Sequence, residues 1–331
     1  MPVRASPPTH IVSLRPIGRF LRPLVAALLT GYVLYRANPS AVLSAGARTD
    51  LRWIGLAISL VVLDRLLMAY RWIVLLCPID AARRPPLLSV LRIFFVSTFA
   101  GTFLPASIGG DIVRAYSLSK LQVEPGQAVA SVLMDRLLGV VSILVVGAAG
   151  VLLARTGDLA STRAITLSLL AGAGVTICAA SVIFSERAAS LAEAIAFRMP
   201  VPAVRRIGSE LTRATRAYGA HHGELALVLS GSIAVQVLRI AQAWCLGMLL
   251  GITAPLALYF GLIPLILLVM LLPVSINGLG TSQMGFVWFF GRAGVPGPQA
   301  FALSVLFVAL GIVGNLPGGV LYAFGERPAK P

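Results

Sequence analysis

From Leu24 to Phe324 this chain alternates long apolar runs with short, mostly basic loops. That pattern leaves few folds open. A backbone inside a bilayer must satisfy its own hydrogen bonds, so only helices and closed barrels cross it. The apolar runs fall at about 23–43, 53–76, 127–154, 165–184, 225–251, 256–273 and 299–324. Several approach or exceed the ~20 residues that a spanning helix needs. Hydrophobic residues make up 58% of the chain and charged residues 12%, against roughly 25% charge in a soluble domain. No stretch has the composition of a soluble domain. The expected class is all-α: a polytopic membrane helical bundle.

Two apolar segments are broken by nearly the same phrase. Leu104-Pro105-Ala106-Ser107-Ile108-Gly109-Gly110 returns 168 residues later as Leu272-Pro273-Val274-Ser275-Ile276-Asn277-Gly278. A second echo, Ser131-Val132-Leu133 with Gly139, returns as Ser304-Val305-Leu306 with Gly311. Two separated echoes at nearly constant offset point to a duplicated unit. Pro/Gly-broken apolar segments in matching places of two halves point to a site near the membrane midplane.

Charge sets the expected orientation. Lys and Arg number 27 against 12 acidic residues, a net charge of +15, and basic loops stay cytoplasmic. The basic tail 1–22, the Arg83–Arg84 loop, the polar loop 185–224 and the tail 326–331 all fit the cytoplasmic side, which puts both termini inside. The N-terminus imitates a signal peptide, with arginines before an apolar run; the many later spans favour an uncleaved first helix. Counting crossings makes 90–108 a re-entrant hairpin from the cytoplasm and 256–280 one from outside. Such hairpins form an inverted repeat around an internal polar cavity, the membrane domain covering 23–325.

Charges within apolar runs are costly, ~2.5–3.5 kcal/mol each at a helix centre, and tend to mark function. Asp64 and Arg71 share a face of the second helix, with Arg65 beside them. Asp111 and Arg114 are three apart, within reach on one helical turn. Asp135 and Arg136 follow in the next helix, and Arg239 lies further on with Gln236 and Gln242. Arg71, Arg114, Arg136 and Arg239 against Asp64, Asp111 and Asp135 leave a positive excess. Arginine offers a phosphate two parallel hydrogen bonds. The Gly109–Gly110 turn offers backbone N–H groups at a helix start. Ser107, Ser275, Asn277, Gly278 and Gly280 complete the candidate lining. Ion pairs that merely hold helices together remain the competing reading.

Other classes lack their signatures. There is no P-loop, GxSxG, HExxH or acidic cluster for magnesium–diphosphate chemistry. Cys77, Cys178 and Cys245 form no CxxC pair, and His221–His222 has no third ligand nearby, so neither metal nor cofactor is expected. The aromatic residues lie in apolar runs, which argues against nucleic acid.

Taken together, Pro105, Gly109-Gly110-Asp111, Arg114, Ser131-Val132-Leu133, Asp135-Arg136, Gly139, Asn277-Gly278-Leu279-Gly280 and the Arg71-Trp72 pair resemble the lysylphosphatidylglycerol synthase transmembrane region family over about 20–325. That family includes the flippase half of the bacterial lysyl-phosphatidylglycerol flippase/synthase. The resemblance implies lipid translocation in the bacterial inner membrane, with related members linked to hopanoid or other polyprenoid lipids. Two positions depart from its pattern: Asp135 stands where Glu is frequent, and Gln283 where Glu is common. The latter weakens any proton coupling at the second hairpin. The aminoacyl-transferring domain of bifunctional members has no counterpart here, so this chain is not expected to act as an enzyme.

The leading expectation is a flippase-like translocase of an anionic or amphiphilic lipid, an (aminoacyl-)phospholipid or a polyprenoid, with Arg114 essential to transport. The alternative is a membrane accessory subunit of a lipid or glycan synthase, docked through 185–224. The partners considered are membrane lipids with anionic head groups, a separate synthase and a second copy of the chain in a homodimer.

Overall fold

The computed structural model describes residues 52–79, 84–104, 108–153, 212–271 and 280–324, with 174, 177, 181, 187 and 190 as isolated positions. The expected first helix at 23–43, the run 165–184, most of the loop 185–224 and both tails lie outside the described residues. Among the described residues there is no strand.

Eight α-helices have both ends among the described residues: α1 Arg52–Val74, α2 Leu87–Gly101, α3 Ile108–Ser119, α4 Pro125–Leu153, α5 His222–Leu249, α6 Leu256–Met270, α7 Thr281–Arg292 and α8 Gly297–Phe324, with a short 3-10 turn at Ala217–Ala220 before α5. Their lengths repeat. The first four run to 23, 15, 12 and 29 residues; the second four run to 28, 15, 12 and 28. Four are long and apolar enough to cross a membrane, namely α1, α4, α5 and α8. At 15 residues, α2 and α6 extend only about 22 Å, short of the ~30 Å hydrocarbon core. The outward faces stay apolar: Leu63 and Leu66 on α1, Ile112 on α3 and Val320 on α8 are all exposed. Surfaces this apolar suit lipid rather than water.

The packing repeats as well. The hairpin helix α2 lies on α8, and its counterpart α6 lies on α4. Likewise α1 touches α8 where α5 touches α4, and each unit makes the same internal contacts. The helices α1 and α5 meet each other at the centre. They run antiparallel: Trp53 stacks edge-on against Trp244 at 5.2 Å, Asp64 meets Arg239, and Arg71 reaches Gly231. Two glycines allow the cross-unit packing. A side chain on Gly318 of α8 would strike the Phe95 carbonyl of α2, and one on Gly150 of α4 would strike the Phe260 carbonyl of α6. Small residues at such crossings let helix backbones approach closely where lipid supplies no hydrophobic drive.

The two broken segments form helical hairpins that open at opposite ends of the bundle. Val90 at the start of α2 and Leu118 at the end of α3 share one cluster with Leu76, Ile79 and Val123. Tyr259 near the start of α6 and Phe290 near the end of α7 are 5.1 Å apart in another cluster, with Ile252, Val295 and Ala300. Gly101 and Gly110 pack together near the first hairpin's tip. At α7 the chain needs glycine: Gly280 has φ +91, and its N–H donates to Gln283 Oε1 at 2.6 Å.

Candidate functional site

A polar cavity of about 270 Å³ lies among α1 to α5 and α8, close to both hairpin tips. Arg65, Arg71, Arg114, Arg136 and Arg239 line it, together with Asp111 and Asp135. Asp64 sits just behind, 1% exposed at its side chain. The five arginines therefore face three aspartates, an excess of two positive charges.

The carboxylates do not pair with their sequence neighbours alone. Asp135 on α4 bridges two helices, with Oδ1 2.7 Å from Arg71 on α1 and Oδ2 3.3 Å from Arg114 on α3. Asp111 meets Arg136 at 2.7 Å, from α3 to α4. Asp111 and Arg114, three residues apart on α3, thus bond different partners on α4. Asp64 takes Arg65 at 2.8 Å and Arg239 of α5 at 3.2 Å. Each aspartate ties helices together across the fold, because buried charges persist only when paired and hydrogen-bonded.

The arginines differ in how tightly they are held. Arg114 donates from Nε to Ser97 Oγ, and its guanidinium lies over the Trp72 and Phe94 rings at 5.2 and 4.7 Å. It is 6% exposed. Arg71 is 4% exposed and also reaches the Asp135 carbonyl at 3.4 Å. These two are anchored within the protein. Arg65 donates to the Gly311 carbonyl and the Met68 sulfur. More exposed are Arg239 and Arg136, at 24% and 41% of their side chains.

Several buried polar atoms on residues lining this cavity have no partner within the protein: Arg65 Nε, Arg71 Nε, Gln236 Oε1 and Asn315 Oδ1. Elsewhere on these side chains bonds are made, Gln236 Nε2 to Ser142 Oγ at 3.1 Å and Asn315 Nδ2 to Thr102 Oγ1 at 2.9 Å. Unmet buried donors and acceptors cost about 1–3 kcal/mol each, so both signs of hydrogen-bonding capacity stand beside the cavity.

Of the expected site residues, Arg71, Arg114, Arg136, Arg239, Asp111, Asp135 and Gly110 line the cavity, and Asp64 supports it. Gly109 and Gly110 lie in the first turn of α3, where they also pack against neighbours. Side chains there would collide with Leu104 at Gly109 and with the Ser97 carbonyl, 2.8 Å away, at Gly110. Gly280 is not among the lining residues. Ser107, Ser275, Asn277 and Gly278 lie outside the described residues. Arg65, Thr98, Thr102 and Asn315 line the cavity without having been singled out as site residues. Arg65 carried a signal, a cation beside Asp64 in an apolar run; the other three are small polar residues without distinguishing context. Among the described residues no three His, Cys, Asp or Glu side chains group to hold a metal.

The family described as "Lysylphosphatidylglycerol synthase TM region" matches residues 19–318. The chain belongs to the lysylphosphatidylglycerol synthase TM region family. No curated protein matches it. This family is a membrane-associated, lipid-related domain, and the four long apolar helices agree with a multi-pass membrane protein. Membership covers about nine-tenths of the chain, including every helix described except the last turns of α8.

Proposed function

We propose that this chain is a flippase-like translocase that carries an anionic or amphiphilic lipid across the bacterial inner membrane by its head group. The observation that carries the reading is the cavity's composition: five arginines, an excess of two positive charges, and unpartnered donors on Arg65 and Arg71. A phosphate ester supplies the acceptors those donors lack, in a medium where charge-assisted hydrogen bonds are strong. Arg136 and Arg239 make first contact, being the most exposed. Arg71 and Arg114, pinned by Asp135, set the field behind them.

In this reading the hairpins α2–α3 and α6–α7 are re-entrant, and the two units form an inverted repeat. The antiparallel α1–α5 contact, the matched helix lengths and hairpins opening at opposite ends support it. Irregular backbone at membrane depth survives when it is buried in protein or lines a wet cavity. Rocking one unit against the other about α1 and α5 exposes the cavity alternately. Arg84, Lys120, Arg213 and Arg216 gather at the end where the first hairpin opens, against Arg52 and Arg292 at the other. The first end is then cytoplasmic.

Purification in native lipid discs, followed by mass spectrometry of copurifying lipids, tests the reading. An anionic lipid enriched over the bulk membrane, and lost in Arg239→Gln, is expected. Bulk lipid unchanged by the substitution contradicts it.

A further inference from the structure

We infer that the hydrocarbon tail of the translocated lipid lies in an apolar groove between α3 and α4, with the Asp111–Arg136 pair as the seam between tail and head group. The inference rests on the proposed translocase reading and deepens it. A second cavity of about 710 Å³ runs along these two helices. Its floor is Ala115, Val132 and Val140, and its rim includes Ile112, Tyr116, Val129 and Leu133. Those four rim residues are exposed, at 64, 60, 38 and 44%. The groove therefore opens sideways, on the outward apolar surface.

Continuity identifies the occupant. Asp111, Arg136, Val140 and Leu271 line both this groove and the arginine cavity. Two compartments share one wall, one cationic and polar, the other apolar and lateral. A ligand that fills both has a negative head and a hydrocarbon tail on one molecule, which describes an anionic lipid. A soluble anion has no use for the groove, and a wholly apolar molecule has none for the arginines. The volume falls within the ~300–1,000 Å³ usual for small-molecule sites.

The seam has the right chemistry to open. Asp111 and Arg136 are 2.7 Å apart, with the arginine side chain 41% exposed. A pair that exposed is held by little net free energy. A phosphate arriving at the seam competes for Arg136, and the guanidinium keeps a charged partner throughout the exchange. The inward pairs on Asp135 are buried and stay closed. Leu271, just past the end of α6, lines both compartments as well, so the second hairpin forms part of their shared wall.

The test uses the full chain in phosphatidylcholine vesicles doped with phosphatidylglycerol bearing a photoreactive group on its acyl tail. Labelling of a peptide within 108–140, competed by unlabelled phosphatidylglycerol, is expected. Tail-photoreactive phosphatidylcholine at the same dose labels that peptide far less. A bulky residue on the rim, Val129→Trp, removes the labelling and slows flipping, while Leu133→Trp checks the result independently. Equal labelling by both lipids means ordinary boundary lipid and overturns the inference. So does crosslinking of a photoreactive amino acid at Val129 to residues 23–43 or to a second copy, since the groove is then occupied by protein. If both tryptophan variants flip lipid like the wild type, the tail lies elsewhere but the translocase reading stands. If the wild type flips nothing, the translocase reading itself fails.

Discussion

Arg239 on α5 donates from Nε to Oδ1 of Asp64 on α1 at 3.2 Å, at the antiparallel crossing where the two units meet. The same carboxylate takes Arg65 at 2.8 Å, and Met68 accepts from both arginines through its sulfur. One buried carboxylate thus fixes two cavity cations and joins the halves. Asp64→Asn removes the charge while keeping the shape. It is expected to lower stability by about 3–5 kcal/mol, the range for breaking a buried ion pair. A thermal unfolding scan in detergent checks this; an unchanged Tm contradicts it.

Asp135 holds Arg71 and Arg114 together, so its removal strands two buried cations. Asp135→Ala is expected to cost more stability than Arg114→Ala, which leaves Asp135 its bond to Arg71. Loss of transport in Arg114→Ala then includes a folding component. The check is the ratio of monodisperse protein to transport for each variant. Equal stability loss in both variants contradicts the shared-carboxylate account.

Arg136 behaves differently. Its pair with Asp111 is partly exposed, and such pairs contribute about 0–1 kcal/mol. Arg136→Gln should lower the unfolding temperature less than Asp64→Asn does. Anionic-lipid binding should weaken by roughly ten- to a hundredfold, the ~1.5–3 kcal/mol of a hydrogen bond to a charged group. Native mass spectrometry with titrated phosphatidylglycerol measures both the shift and the intact fold.

The glycines at the two cross-unit contacts make a symmetric prediction. Gly150→Leu and Gly318→Leu each drive a side chain into the carbonyl of a facing phenylalanine, Phe260 or Phe95. Overpacking of this kind typically costs ~1–3 kcal/mol or more. Both variants should lose folded yield to a similar degree, read by fluorescence-detected size exclusion. Gly139→Ala, where an added Cβ meets nothing within 4 Å, is the control that should fold.

Cys77, just beyond α1, offers a pH-based check. Burial pushes its thiol up to about 11, with Glu224 adding to the shift. The reactive form is the thiolate. At neutral pH its population is then ~100-fold below that of an ordinary thiol of pKa 9, one factor of ten per pKa unit. Maleimide labelling of Cys77 should be slow at pH 7 and accelerate steadily to pH 10. Rapid labelling at pH 7 contradicts this packing around α1's end.

Much of the architecture was legible in the sequence, since a bilayer permits helices and little else. The end of α2 at Gly101 and the start of α7 after Gly280 were legible as Pro/Gly interruptions, and the echoed phrases are accompanied by like lengths of α2 and α6 and of α3 and α7. The cationic excess was legible because charges in apolar runs are conspicuous. The partners of those charges were not. Asp111 lies three residues from Arg114 but bonds Arg136, twenty-five away, and only the α3–α4 packing decides between them. Arg65 escaped because it sits off the Asp64–Arg71 face, yet its long side chain reaches the α8 backbone at Gly311. Thr102 and Asn315 meet across 213 residues, a contact no local pattern encodes.

The central claim is that the arginine cavity passes an anionic lipid head group across the membrane. The direct measurement is flipping in proteoliposomes, using phosphatidylglycerol with a head-group fluorophore and dithionite added outside. Bleaching of the inner-leaflet fraction by the wild type, and its loss in Arg239→Gln at equal folded protein, is the predicted result. Protection of that fraction by the wild type, or undiminished bleaching by Arg239→Gln, contradicts the account.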